Sequence, residues 1–149
     1  MCIRDRLGHA HCSDYRALSG PPRYGLDEPL AGRDTGLPPS HPTLPSLLRE
    51  AGYGTTLVGK WHLGLLPRYG PLQSGYDHFY GFRGGAVDYF THSNDLWDED
   101  VKVQQVGYLT DLLGSHAVDV INGYAKAGKP FLLSLHFNAC LLYTSSSAS

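Results

Sequence analysis

Thr43-Leu44-Pro45-Ser46-Leu47-Leu48-Arg49-Glu50-Ala51-Gly52-Tyr53-Gly54-Thr55-Thr56-Leu57-Val58-Gly59-Lys60-Trp61-His62-Leu63-Gly64 carries the punctuation of a helix, a glycine turn and a strand, in that order. Thr43 suits an N-cap, Pro45 the first helical turn and Gly52 the position just past the helix end. Leu44, Leu47, Leu48 and Ala51 keep helical spacing, which predicts a short helix over Leu44–Ala51. The β-branched, apolar run Thr55 to Val58 predicts a strand. Helix, turn and strand make half of a βαβ unit. Lys60 and His62 then leave the C-terminal edge of that strand close together, where open α/β sheets build anion and ligand sites.

Outward from this unit the chain alternates in the same way. Leu7 to Pro42 is rich in Gly and Pro and reads as loop, with a short helix around Arg16 to Ser19. Leu63 to Trp97 is glycine-studded and aromatic, and reads as a long loop pinned by its own rings or serving function. Asp98 to Val106 reads as a small hairpin or edge strand. Gly107 to Ala127 is the longest periodic segment, with Thr110 or Asp111 as cap. Leu109, Leu112, Leu113, Ala117, Val120, Ile121 and Tyr124 form its apolar face. Gly128 ends it, and Pro130 to Phe137 predicts a buried strand. Strands alternating with helices argue for a mostly parallel α/β sheet flanked by helices.

Both ends of the 149 residues are set apart from this pattern. Met1 to Arg6 can be encoded by ATG TGT ATA AGA GAC AGN, and Cys140 to Ser145 by TGT CTC TTA TAC ACA TCT. These are reverse complements over most of their length and match a transposon end used in sequencing libraries. Residues 1–6 and 140–149 are therefore expected to be adapter translations, and residues 7–139 part of one longer domain. Of three cysteines that leaves Cys12, so no disulfide framework is argued. Removing Arg4, Asp5 and Arg6 takes 12 basic and 14 acidic residues to 10 and 13, a net charge of −3. Such a balance carries no nucleic-acid footprint. No apolar run approaches the roughly 20 residues that span a bilayer.

Several stretches, in order, resemble the sulfatase family of the alkaline phosphatase superfamily. Glu50 to His62 is similar to its second signature. Pro38-Pro39-Ser40-His41-Pro42-Thr43-Leu44-Pro45-Ser46-Leu47-Leu48, Gly75-Tyr76-Asp77-His78-Phe79-Tyr80-Gly81, Gly107-Tyr108-Leu109-Thr110-Asp111 and Lys129 to Ala139 also look like sulfatase sequence. The resemblance covers most of residues 7–139 and implies a partial alkaline-phosphatase-like domain. It implies hydrolysis of a sulfate ester, such as one on a carbohydrate, through a formylglycine nucleophile and a divalent metal, usually Ca2+. Lys60 would contact the substrate sulfate and the nucleophile, and His62 would hydrogen-bond the nucleophile's hydroxyl. The physics of the residues agrees. A fixed ammonium stabilises negative charge developing on sulfate oxygens, and an imidazole accepts and returns a proton near neutral pH. Without the motif around them, Lys60 would read as a solvated loop lysine and His62 as a satisfied polar residue.

Cys12, followed by Arg16, Arg23 and Tyr24 at the family's spacing, matches the formylglycine precursor, with Arg16 stabilising it. In the family the aldehyde hydrate attacks sulfur, and its second hydroxyl then expels sulfate and regenerates the aldehyde. Asp14 and Tyr15 depart from the pattern's Pro or Ala and its Ser or Thr. A formylglycine-generating enzyme is the implied maturation partner. Converted Cys12 would be the one metal ligand retained, the family's aspartate and asparagine ligands lying outside the segment. Asp77, Asp88 and Asp95 do not sit at those positions. His9 and His11 flank Cys12 without the further ligands that zinc needs. Tyr76 to Phe90 resembles the loop over the active-site mouth, where it would stack on a sugar or pack the loop itself. Family members are often exported, which implies a periplasmic or secreted parent. The rival readings are a phosphodiesterase or phosphonate hydrolase of the same superfamily and a non-catalytic relative binding sulfated glycan. The chain as written is expected to be inactive and, with a sheet edge exposed, prone to aggregate.

Overall fold

The structure is a computed structural model that describes residues 36–138. Helix α1 spans Leu44–Glu50, and Thr43 caps it as its sequence predicts. The Thr43 hydroxyl accepts from the Ser46 amide at 3.1 Å while the Ser46 hydroxyl accepts from the Thr43 amide at 2.9 Å. Gly52, at φ 90°, provides the left-handed residue that turns the chain into strand β1, Gly54–Lys60. Leu44 and Leu47 are 62% and 54% exposed, and it is Pro45 that α1 buries. Helical spacing marked the apolar stripe without saying what would lie against it.

Strand β1 is the centre of the sheet. It pairs in parallel with β2 (His78–Phe82) on one side and β5 (Phe131–His136) on the other. Two short strands, β3 (Trp97–Asp98) and β4 (Val101–Lys102), continue the sheet antiparallel beyond β2, giving the order β4-β3-β2-β1-β5. The expected hairpin is therefore present, beginning one residue earlier than predicted. β2 falls where the sequence reads as loop. Its aromatic residues favour a strand, but Gly81 breaks the apolar run that would have revealed it.

Alternation along β1 feeds both faces of the sheet. Val58 joins Tyr80, Phe82, Val87, Leu96, Leu109 and Leu113 on one face. Leu57 joins Trp61, Tyr76 and Phe79 on the other. Leu57, Val58, Phe79 and Phe82 are fully or almost fully buried. Burial of each such side chain contributes about 1.5–3 kcal/mol. Helix α2, Leu109–Ala127, covers the first face with Leu109, Leu113 and Ala117. Its N-cap is Tyr108 without a side-chain bond; Thr110 and Asp111 lie within the first turn, where Asp111 complements the helix dipole. Gly128 ends it in the left-handed conformation, as expected. Strand β5 is half-buried to exposed rather than buried, because among the described residues it pairs with β1 alone. The helix expected around Arg16 to Ser19 lies outside the described residues.

Candidate active site

Parallel strands deliver their C-terminal ends to one edge of the sheet, and β1, β2 and β5 do so in register. Gly59 pairs with Gly81 on one side and His136 on the other. Gly59 has φ 113° and Gly81 φ 152°. A β carbon on Gly59 would run into the His136 carbonyl, and one on Gly81 into the Gly59 carbonyl. Two glycines thus let three backbones close up just before the strand gives way to the site.

Lys60 is the last residue of β1 and is half-buried. Its carbonyl accepts from His136 Nδ1 at 3.1 Å, which ties the end of β5 to the end of β1. Trp61 is buried, donating its amide to the Phe82 carbonyl at 2.9 Å and its indole Nε1 to the Tyr69 carbonyl at 2.8 Å. Its ring meets Tyr76 edge-on, with centroids 6.4 Å apart. His62 adopts φ 54°, rare for a residue with a side chain, and donates its amide to the Arg83 carbonyl at 3.3 Å. The anchored Trp61 stands between Lys60 and His62 at the strand end, near enough for the Lys60 charge to act on His62.

Their electrostatics follow from that placement. Desolvation by partial burial pushes the Lys60 ammonium below its ordinary value. His62 is also lowered from its ordinary 6.5, first by desolvation and then by the positive charge of Lys60. A neutral imidazole beside a cation suits proton acceptance from an attacking hydroxyl near an anion.

Cys12 and Arg16 lie outside the described residues. Among the described residues no group of three or more His, Cys, Asp or Glu side chains converges as a metal ion requires, so these residues do not by themselves fit a calcium site. Asp77 instead accepts from the Thr55 amide, and Asp88 from the amides of Phe90 and Thr91. Asp95 accepts from the Gly84 amide and the Trp97 indole. Of the aromatic stretch, Tyr76, Phe79, Tyr80 and Phe82 belong to the core, while Phe90 is 69% exposed near Tyr108. His78 pairs with Glu99 at the surface, and buried His92 donates to the Gly107 carbonyl. Sequence reasoning did not single out His136, Gly85 or Asn138. Gly85 lies against the His62 ring, and Asn138 Nδ2 donates to the Val87 carbonyl at 2.9 Å. No short-range pattern links residues so far apart in sequence.

Comparison with known proteins bears out the family and the fold. The family described as Sulfatase matches residues 8–140. N-acetylglucosamine-6-O-sulfatase of Bacteroides thetaiotaomicron is 29% identical over 136 residues, which cover 87% of this chain and 23% of that protein. Human N-acetylgalactosamine-6-sulfatase is 50% identical over 46 residues, 31% of this chain and 9% of that protein. The crystal structure of Ps i-CgsB in complex with k-i-k-neocarrahexaose superposes with a TM-score of 0.69 at 29% identity, over 74% of this chain and 29% of that chain. The chain thus spans about a quarter of the length of relatives that it matches along most of its own length. On its α/β fold and the match to residues 8–140, the chain belongs to the sulfatase family.

Proposed function

We propose that this chain is part of the catalytic domain of a sulfuric ester hydrolase acting on a carbohydrate sulfate. The observation that carries the reading is the Lys60–His62 pair at the end of β1, its imidazole held below the ordinary histidine value beside a half-buried ammonium. Similarity to a sulfatase of N-acetylglucosamine 6-O-sulfate supports a sugar as the alcohol portion of the ester. Lys60 binds a sulfate oxygen and gains strength as negative charge develops there. His62 takes the proton of the nucleophile's hydroxyl and returns one later in the cycle.

The nucleophile in this reading is formylglycine made from Cys12 by a formylglycine-generating enzyme, with Arg16 stabilising it. Calcium belongs to the reading as the family's usual metal. Its remaining ligands would come from parts of the domain beyond this segment, and no step here is assigned to it.

The test uses a full-length protein carrying residues 7–139, co-expressed with a formylglycine-generating enzyme and assayed on a sulfate ester and a phosphate diester. Sulfate turnover that is lost in Lys60→Ala supports the reading, whereas preference for the phosphate diester favours the phosphodiesterase rival. Mass spectrometry of the Cys12 peptide tests the nucleophile, and an unmodified thiol excludes formylglycine. Chelation followed by calcium addition tests the metal. Binding of sulfated glycan without turnover would identify a non-catalytic relative.

A further inference from the structure

The loop that follows β2 makes the wall against the His62 ring. A β carbon on Gly85 would stand 2.9 Å from both Cε1 and Nε2 of the imidazole, so only hydrogen separates the Gly85 backbone from the ring. Two side chains far from Gly85 in sequence fix this wall. Asp95 Oδ2 accepts from the Gly84 amide at 2.9 Å, while its Oδ1 accepts from the Trp97 indole at 2.6 Å. Asn138, 2% exposed and just past the end of β5, donates to the Val87 carbonyl at 2.9 Å. Trp97 in turn lies under the Arg83 guanidinium, 3.8 Å from ring centroid to Cζ, and Arg83 is held by Asp100 Oδ1 at 2.6 Å. The Arg83 carbonyl receives the His62 amide at 3.3 Å. The wall thus grips His62 at its backbone and its ring.

We propose that Asp95 and Asn138 are positioning residues for His62, clamping the Arg83–Val87 loop so that Gly85 holds the imidazole oriented. This rests on His62 being the proton-transfer residue of the proposed function. Asp95 is the more demanding part of the clamp, because two N–H donors converge on one carboxylate. An amide offers a single acceptor oxygen, so Asp95→Asn keeps the shape and loses one of the two bonds. Lys60, on β1, is the charged group among the described residues that acts on His62. Arg83, on the loop, is committed to Asp100 and the Trp97 ring, and His136, on β5, to the Lys60 carbonyl. Loosening the wall moves the ring off the Gly85 backbone, relieves part of the desolvation that lowers His62 and moves its titration upward.

The experiment compares wild type and Asp95→Asn in a full-length protein carrying this segment. It measures kcat, KM and their pH profiles, and titrates His62 by NMR with ring-labelled histidine. The expected result is a fall in kcat of about 10- to 100-fold, as for a reacting group slightly misplaced, with little change in KM and an upward shift of the His62 titration. A merely structural Asp95 would lower the yield of folded protein and leave both the titration and kcat per folded molecule unmoved, which would overturn the proposal. Should Asp95→Asn fail to fold, Gly85→Ala presses a methyl group on the ring without touching the Asp95 bonds. A folded Gly85→Ala protein with unchanged kcat and His62 titration overturns the proposal equally. Turnover that survives His62→Ala would refute the proton-transfer reading instead, while the NMR titration would still report on the clamp.

Discussion

Gly59→Ala tests most sharply how the site is built. At φ 113° an alanine occupies backbone space reserved for glycine, at a cost of about 1–3 kcal/mol. Its methyl would also overlap the His136 carbonyl, standing 2.7 Å from the carbonyl carbon, and a backbone group in a paired strand cannot swing aside as a side-chain tip can. Displacing it adds about 1–3 kcal/mol of overpacking. The total, roughly 2–6 kcal/mol, is a large part of the 5–15 kcal/mol that holds a typical domain. Urea unfolding of the chain at low concentration, read by Trp61 and Trp97 fluorescence, should show the midpoint falling by about 1–3 M for a slope near 2 kcal/mol per M. Gly123→Ala is the matched control. It lies inside α2 with nothing within 4 Å of the added carbon, and should stabilise by about 0.5–1 kcal/mol. A Gly59→Ala midpoint equal to wild type would refute the claim that β1 and β5 close up through a glycine.

Lys60→Gln in the full-length enzyme should lower kcat/KM by about 100- to 1,000-fold, the range for losing one preorganised group facing a developing anion; steady-state kinetics check it, and a loss below threefold would contradict the role. His62 must be neutral to accept a proton, so activity should fall as pH drops through its depressed pKa, placing the acid limb of kcat/KM below 6.5. Removing the Lys60 charge should move the His62 titration upward, read by NMR, and a downward move would reverse the assigned cause. Thr43→Ala removes the α1 cap and the bond from Thr43 Oγ1 to the Ser74 carbonyl at 2.6 Å, and should cost about 1–2 kcal/mol in the same urea assay. Thr43→Ser should recover most of that loss.

Local rules were legible where one short stretch contained the whole cause. The Thr43 cap, Gly52 and the strand that follows are such a case, and so is the Gly128 stop after α2. β2 was hidden because its stability comes from lying between β1 and β3, and Gly81 interrupts the run that would announce it. β5 has the composition of a buried strand yet stands half-exposed, because composition does not count its neighbours. The aromatic run was ambiguous between ligand stacking and packing, and contact with the sheet core assigned four of its rings to packing.

By itself the sequence determined the chemistry available at the site: a lysine and a histidine two residues apart after an apolar strand, within a set of stretches that mark the sulfatase family. Residues two apart in sequence need no long-range fold to lie near each other. Tertiary structure alone decided what surrounds that pair, since His136 reaches the Lys60 carbonyl from β5 and Gly85 reaches the His62 ring from the loop after β2. His136, for one, lies 76 residues from Lys60 along the chain. No periodicity or spacing brings them together; parallel pairing of β1 with β2 and β5 does, by delivering three strand ends to one edge.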